Sequence, residues 1–154
     1  MAPSRDGVDI LLPLAVGIAT TISTIFIHAL ALVAIVHFVR YERRIGHAGV
    51  RFLNDVSIVM GATLLALGAH LIEIAAWAVV FVRCGEFRDF AVAFYSSAQN
   101  YTTLGYGDVV MSVSWRLLGP LESADGMLMF GVTTAMIFTI IHRLTQERLH
   151  DSFG

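Results

Sequence analysis

The chain has 154 residues, 56% of them hydrophobic and only 14% charged, with a mean hydropathy of +0.74 and a formal net charge of -2. A soluble domain of this length needs more surface charge, and a nucleic-acid binder needs a basic stripe, whereas here every basic residue is an arginine placed beside an apolar segment. The single cysteine, Cys84, excludes an intramolecular disulfide and an all-cysteine metal site.

The first apolar run covers residues 10–39, broken by Pro13, a few Ser and Thr residues, His28 and His37. It is about twice the length of a signal-peptide apolar region and no basic cluster precedes it, so a retained transmembrane helix is expected. The group Thr20, Thr21, Ser23 and Thr24 is expected to bond back to its own helix or to the second span. His28 and His37 project to nearly opposite sides of this helix, so they cannot share a metal, and no zinc spacing emerges elsewhere.

RYERRIGHAGVR, residues 40–51, carries four arginines against one glutamate and reads as a basic cytoplasmic loop under the positive-inside bias. The second run, residues 52–82, then travels outward, with Trp77 near its outer end where interfacial aromatics are common. Residues 83–113 are too polar to span. Within them Phe87, Phe90, Ala91, Phe94, Ala98 and Tyr101 keep helical spacing, predicting a short helix over 87–101 that enters the membrane and turns back. The third run, beginning at Trp115 and extending to 143, returns inward and leaves a short cytoplasmic tail, 144–154. The expected fold is an all-α membrane protein: three transmembrane helices and a re-entrant loop, the N-terminus outside and the C-terminus cytoplasmic.

Between the short helix and the last span stands TTLGYGD, residues 102–108. Irregular backbone at membrane depth survives only where it is buried in protein or lines a watery path, because each unpaired polar group in lipid costs several kcal/mol. Gly105 and Gly107 permit backbone conformations that let successive carbonyls point one way, and a file of carbonyl oxygens can replace the water shell of a cation. Residues 103–108 resemble the signature filter of potassium channels, with Leu104 where valine or isoleucine is also found. The similarity to two-helix bacterial potassium channels extends over about 52–143, taking in Trp115 and the stretch GMLMFGVTTAMIFT.

What the resemblance implies is a homotetramer in which the carbonyls of Thr103, Leu104, Gly105 and Tyr106, with the Thr103 hydroxyl, bind permeant K⁺. Gly107 shapes the outer mouth and Asp108 stands behind it. Gly126 matches the inner-helix hinge, and Phe130 and Thr134 match cavity-facing positions, on one helical face with Met127. The chain departs from the pattern in three places. Gln99 stands where several relatives carry glutamate, implying a neutral hydrogen bond to Asp108. Tyr95 and Ser96 replace paired tryptophans. The proline expected soon after the aspartate is missing, and Gly119-Pro120 implies either a late start or a kink in the inner helix.

His70 and Glu73, three residues apart in the second span, and Glu122 and Asp125, three apart in the third, are ionisable groups placed at membrane depth. They read either as partners hydrogen-bonded behind the short helix or as a proton-sensitive cluster, since histidine titrates near neutral pH. Projection puts Glu122 and Asp125 off the face carrying Phe130 and Thr134. No catalytic set, phosphate loop or metal motif is present, so neither an enzyme nor a cofactor is expected; the partners expected are membrane lipid, K⁺ and further copies of the chain. The leading expectation is a passive potassium channel of a bacterial inner membrane. A weakly selective cation channel, or a proton-sensitive sensor or transporter keeping the filter as scaffold, is the alternative. No helix carries an arginine at every third position, which argues against voltage sensing.

Overall fold

A computed structural model of the chain describes residues 10–45 and 51–153, and every described regular element is α-helical. The helices are α1 (Leu11–Ile45), α2 (Arg51–Arg83), α3 (Phe90–Tyr101) and α4 (Leu118–Phe153). Three of them, α1, α2 and α4, are long and apolar enough to cross a membrane. The chain is an all-α protein of multi-pass membrane type.

Several boundaries differ from those expected. α1 does not stop at Val39: Arg40, Tyr41, Glu42, Arg43 and Arg44 are adequate helix formers with no glycine or proline among them, and they extend it to Ile45. Residues 40–45 and 51 of the expected basic loop are therefore helical, and residues 46–50 of it lie outside the described residues. α3 begins at Phe90 instead of 87, because the Asp89 carboxylate accepts a hydrogen bond from the Ala91 N–H (2.8 Å) and caps the first turn. α4 begins at Leu118 instead of 115. Trp115 and Arg116 are drawn into tight turns through N–H bonds to the Ser112 carbonyl (3.1 and 2.9 Å), and Pro120 sits in the first helical turn, where a missing N–H costs nothing. The Gly119-Pro120 pair thus accompanies a late helix start.

The expected tail is helical to Phe153. Arg148 binds Asp55 Oδ2 through Nε (2.6 Å) and a terminal nitrogen (2.5 Å), and Arg43 pairs with Glu147. These contacts hold the final turns of α4 to the ends of α2 and α1.

The described residues fall into two compact units. One unit comprises residues up to Ile25 with Glu73–Met127, and the other Phe26–Ile72 with Leu128–Gly154. In the first, Trp77, Phe81, Ala93, Tyr101 and Leu118 are fully buried. Leu121 of α4 lies directly over Gly17 of α1, so that a Cβ at Gly17 would meet its Cδ1 at 2.4 Å. In the second, Ile35, Ile58, Ala62, Ala66, Ile140 and Leu144 form the core, and the small alanines let α2 approach its neighbours closely. The Phe38 ring occupies the space a side chain at Gly61 would need.

Candidate functional site

Residues 102–108 leave α3 as an irregular loop held by α3 itself. The Thr102 N–H bonds to the Ala98 carbonyl (3.1 Å) and the Thr103 N–H to that of Asn100 (2.9 Å), while Leu104 and Gly105 both donate to the Gln99 carbonyl (2.8 and 3.3 Å). Three alternate residues lie in the left-handed region: Thr103 (φ 60°), Gly105 (φ 52°) and Gly107 (φ 75°). A side chain at either glycine would meet no atom within 4 Å, so glycine is required there by conformation and not by space. Thr103 has no such freedom. A β-branched residue held at positive φ costs about 1–3 kcal/mol, and strain of this kind marks functional backbone. Alternation between the two hands turns successive peptide planes the same way, which a strand cannot do.

The Gln99 side chain braces this loop at two points. Its Oε1 accepts from the Tyr106 N–H (3.2 Å) and its Nε2 donates to Asp108 Oδ1 (2.9 Å). Tyr95, one turn earlier on α3, donates its hydroxyl to Asp108 Oδ2 (2.9 Å). These two donors hold the Asp108 carboxyl below the usual carboxylate range, and the same bond to Asp108 pushes the Tyr95 hydroxyl above its ordinary value. Beyond the loop, Glu86 accepts from both the N–H and the hydroxyl of Ser112 (2.6 Å each), tying the α2–α3 connection to the segment that leads to α4.

The opposite face of α3 meets carboxyl groups from two helices. The Tyr101 hydroxyl donates to Glu73 of α2. One turn earlier, the Ser97 hydroxyl lies 2.5 Å from Glu122 Oε1 of α4 and 2.8 Å from the Ile74 carbonyl. Asp125 Oδ2 receives the Trp77 indole N–H (2.9 Å) and the Thr24 hydroxyl (2.7 Å), while Ser123 donates to the Asn100 carbonyl (2.7 Å). Trp77 is consequently not an interfacial residue: it is fully buried, because a carboxylate 48 residues later turns its indole inward. Glu73, Glu122 and Asp125 each take their own partners around the base of α3, and all three are buried. Of the Thr/Ser group on α1, Thr20 and Ser23 bond to carbonyls of their own helix, and Thr24 reaches Asp125 as well as its own helix.

Gly126 packs against the end of α3. A Cβ there would lie 2.1 Å from the Tyr101 carbonyl oxygen. The position expected as a hinge is thus also a point of near contact between two backbones.

In the other unit, His70 Nε2 lies 3.0 Å from the Thr133 hydroxyl, which in turn lies 3.3 Å from His28 Nε2. The two imidazoles are 5.4 Å apart between centroids, and the Phe130 ring rests on His70 at 4.5 Å. His28 and His70 thus meet across the shared Thr133 hydroxyl, with His37 exposed. Thr134 is exposed and donates to the Phe130 carbonyl. His28 and Thr133 were not legible as partners in sequence: they lie 105 residues apart, and nothing in the local spacing of either signals the other.

A family model described as ion channel matches residues 69–143. The match takes in residues 69–83 of α2, α3, the 102–108 loop and α4 to Arg143, and leaves α1 and residues 51–68 of α2 outside. It supports an ion-channel function. Comparisons with curated proteins and with solved structures find no match.

Proposed function

We propose that the chain is one subunit of a homotetrameric, potassium-selective channel that conducts passively. The observation that carries this reading is the alternation of left-handed backbone at Thr103, Gly105 and Gly107, braced from behind by Gln99. Four such loops around one axis would present the carbonyls of Thr103, Leu104, Gly105 and Tyr106, and the Thr103 hydroxyl, as a ladder of oxygens for a dehydrated K⁺ ion. The C-terminal end of α3, with its partial negative charge near Tyr101 and Thr102, would favour a cation at the inner end of that ladder.

Assembly is supported by the side chains that a lone subunit leaves open. Tyr106 and Leu104 in the loop, and Met127, Leu128 and Phe138 on α4, are more than half exposed. In this reading Phe130 and Thr134 border the inner cavity, the arginine-rich end of α1 faces the cytoplasm, and the N-terminus lies outside, in a bacterial inner membrane.

Reconstituted protein in liposomes provides the test. Efflux of K⁺ down its gradient, blocked by barium and at least tenfold faster than Na⁺ efflux, is the expected result. Comparable Na⁺ flux would replace this reading with a weakly selective cation channel. Flux appearing only with a proton gradient would replace it with a proton-coupled transporter.

A further inference from the structure

Within the unit formed by Phe26–Ile72 and Leu128–Gly154, α1 and α4 line a half-open cavity of about 330 Å³. On α1 it is lined by Val36, Val39, Arg40 and Arg43, which share one helical face at i, i+3, i+4 and i+7. On α4 it is lined by Met136, Thr139, Ile140, Arg143 and Leu144. Its chemistry is graded along the helix axis: Val36 and Met136 lie toward one end, and the guanidinium-bearing residues toward the other. At 1.5 Å per residue, Val36 and Arg43 are separated by roughly 10 Å along α1. Arg43 is paired with Glu147, but Arg40 and Arg143 have no acidic partner among the described residues.

We propose that this cavity is a binding site for an anionic phospholipid, with its phosphate held by Arg40 and Arg143 and the start of an acyl chain lying along Val36, Val39 and Met136. Guanidinium groups bind phosphate with paired N–H donors, and basic pockets between transmembrane helices are suited to acidic headgroups. The cavity volume lies at the small end of the range for ligand pockets, about 300–1,000 Å³, which suits a headgroup and its first methylenes. The α1 side of the site lies outside the segment matched as ion channel, whereas Met136, Thr139, Ile140 and Arg143 on the α4 side lie within it.

The test is native mass spectrometry of the full-length protein in detergent containing equal parts of phosphatidylcholine and phosphatidylglycerol. Wild type is expected to retain phosphatidylglycerol in clear preference. An arginine beside an anionic lipid contributes a factor of about five, so Arg40→Gln with Arg143→Gln should lower the retained fraction roughly 25-fold. Arg83→Gln with Arg116→Gln, an equal charge change outside the cavity, should leave it within twofold. Val36→Trp, which fills the apolar end and keeps every arginine, should also displace the lipid. The proposal is overturned if wild type shows no preference, if both double variants behave alike, or if Val36→Trp binds as wild type does. Competition by inorganic phosphate at the same concentration would equally overturn it, by showing a site for the free anion.

Discussion

Replacing Gly126 by alanine isolates a single contact. The new methyl carbon would lie 2.1 Å from the Tyr101 carbonyl oxygen and 2.9 Å from its carbon, both backbone atoms. Tyr101 cannot simply move aside, since it is fully buried and its hydroxyl is engaged by Glu73. Forcing a methyl group into such a site costs about 1–3 kcal/mol. Alanine is also the better helix former by about 0.5–1 kcal/mol, which offsets part of the cost. Gly131 in the same helix and Gly68 in α2 have no atom within 4 Å of an added Cβ, so alanine there brings only the propensity gain. The contact alone should therefore separate Gly126→Ala from Gly131→Ala by about 1–3 kcal/mol, or roughly 2–12 °C in Tm for a chain of this size. Thermal unfolding of purified protein in detergent, followed by tryptophan fluorescence, reads this directly because Trp77 is bonded to Asp125 beside Gly126. A Tm for Gly126→Ala equal to or above that of Gly131→Ala and Gly68→Ala would refute the close approach of α4 to the end of α3.

Other positions give distinct outcomes. Gly105→Ala, which meets no steric obstacle but must hold φ near 52°, should strain the loop by about 1–2 kcal/mol and reduce the K⁺ over Na⁺ flux ratio in liposomes. Tyr95→Phe removes one of the two donors that depress the Asp108 pKa. Since a depressed carboxyl contributes its stabilisation above its unfolded pKa and loses it as pH falls through the folded one, wild-type flux should persist below the ordinary aspartate range. The variant should lose flux at a higher pH, and identical acid profiles would count against the brace. Trp77→Phe leaves Asp125 without its indole donor and should lower stability by about 1–3 kcal/mol, measured by the same thermal assay.

The parts of the molecule that were legible in sequence are those whose cause is local. TTLGYGD declares itself because two glycines at alternate positions meet a conformational demand that no helix or strand makes, and Gln99 and Asp108 are close enough in the chain to be paired on inspection. Helix α3 was readable from its apolar spacing, but its true start was not: Phe87 keeps the spacing and obscured the Asp89 cap. The buried polar network was not readable in the same way. Trp77 satisfies its indole at Asp125, Glu73 meets Tyr101, and His28 meets Thr133, each across a long stretch of chain. Spacing identifies which face of a helix a residue shares, but not which other helix covers that face. Hence His70 and Glu73 stood out as a pair by proximity, whereas the Thr133 hydroxyl between two imidazoles had no sequence signature at all.

The hydroxyl that Thr24 lends to Asp125, and the seat that Gly17 offers Leu121, bear on whether the pore-like segment can stand alone. A protein shortened to begin at α2 would keep every residue of the matched region and still present a carboxylate stripped of a donor and a leucine with nothing to nestle into. The N-terminal helix is thus a structural member of the machine rather than a tether, and minimal versions trimmed for crystallisation or redesign should retain it.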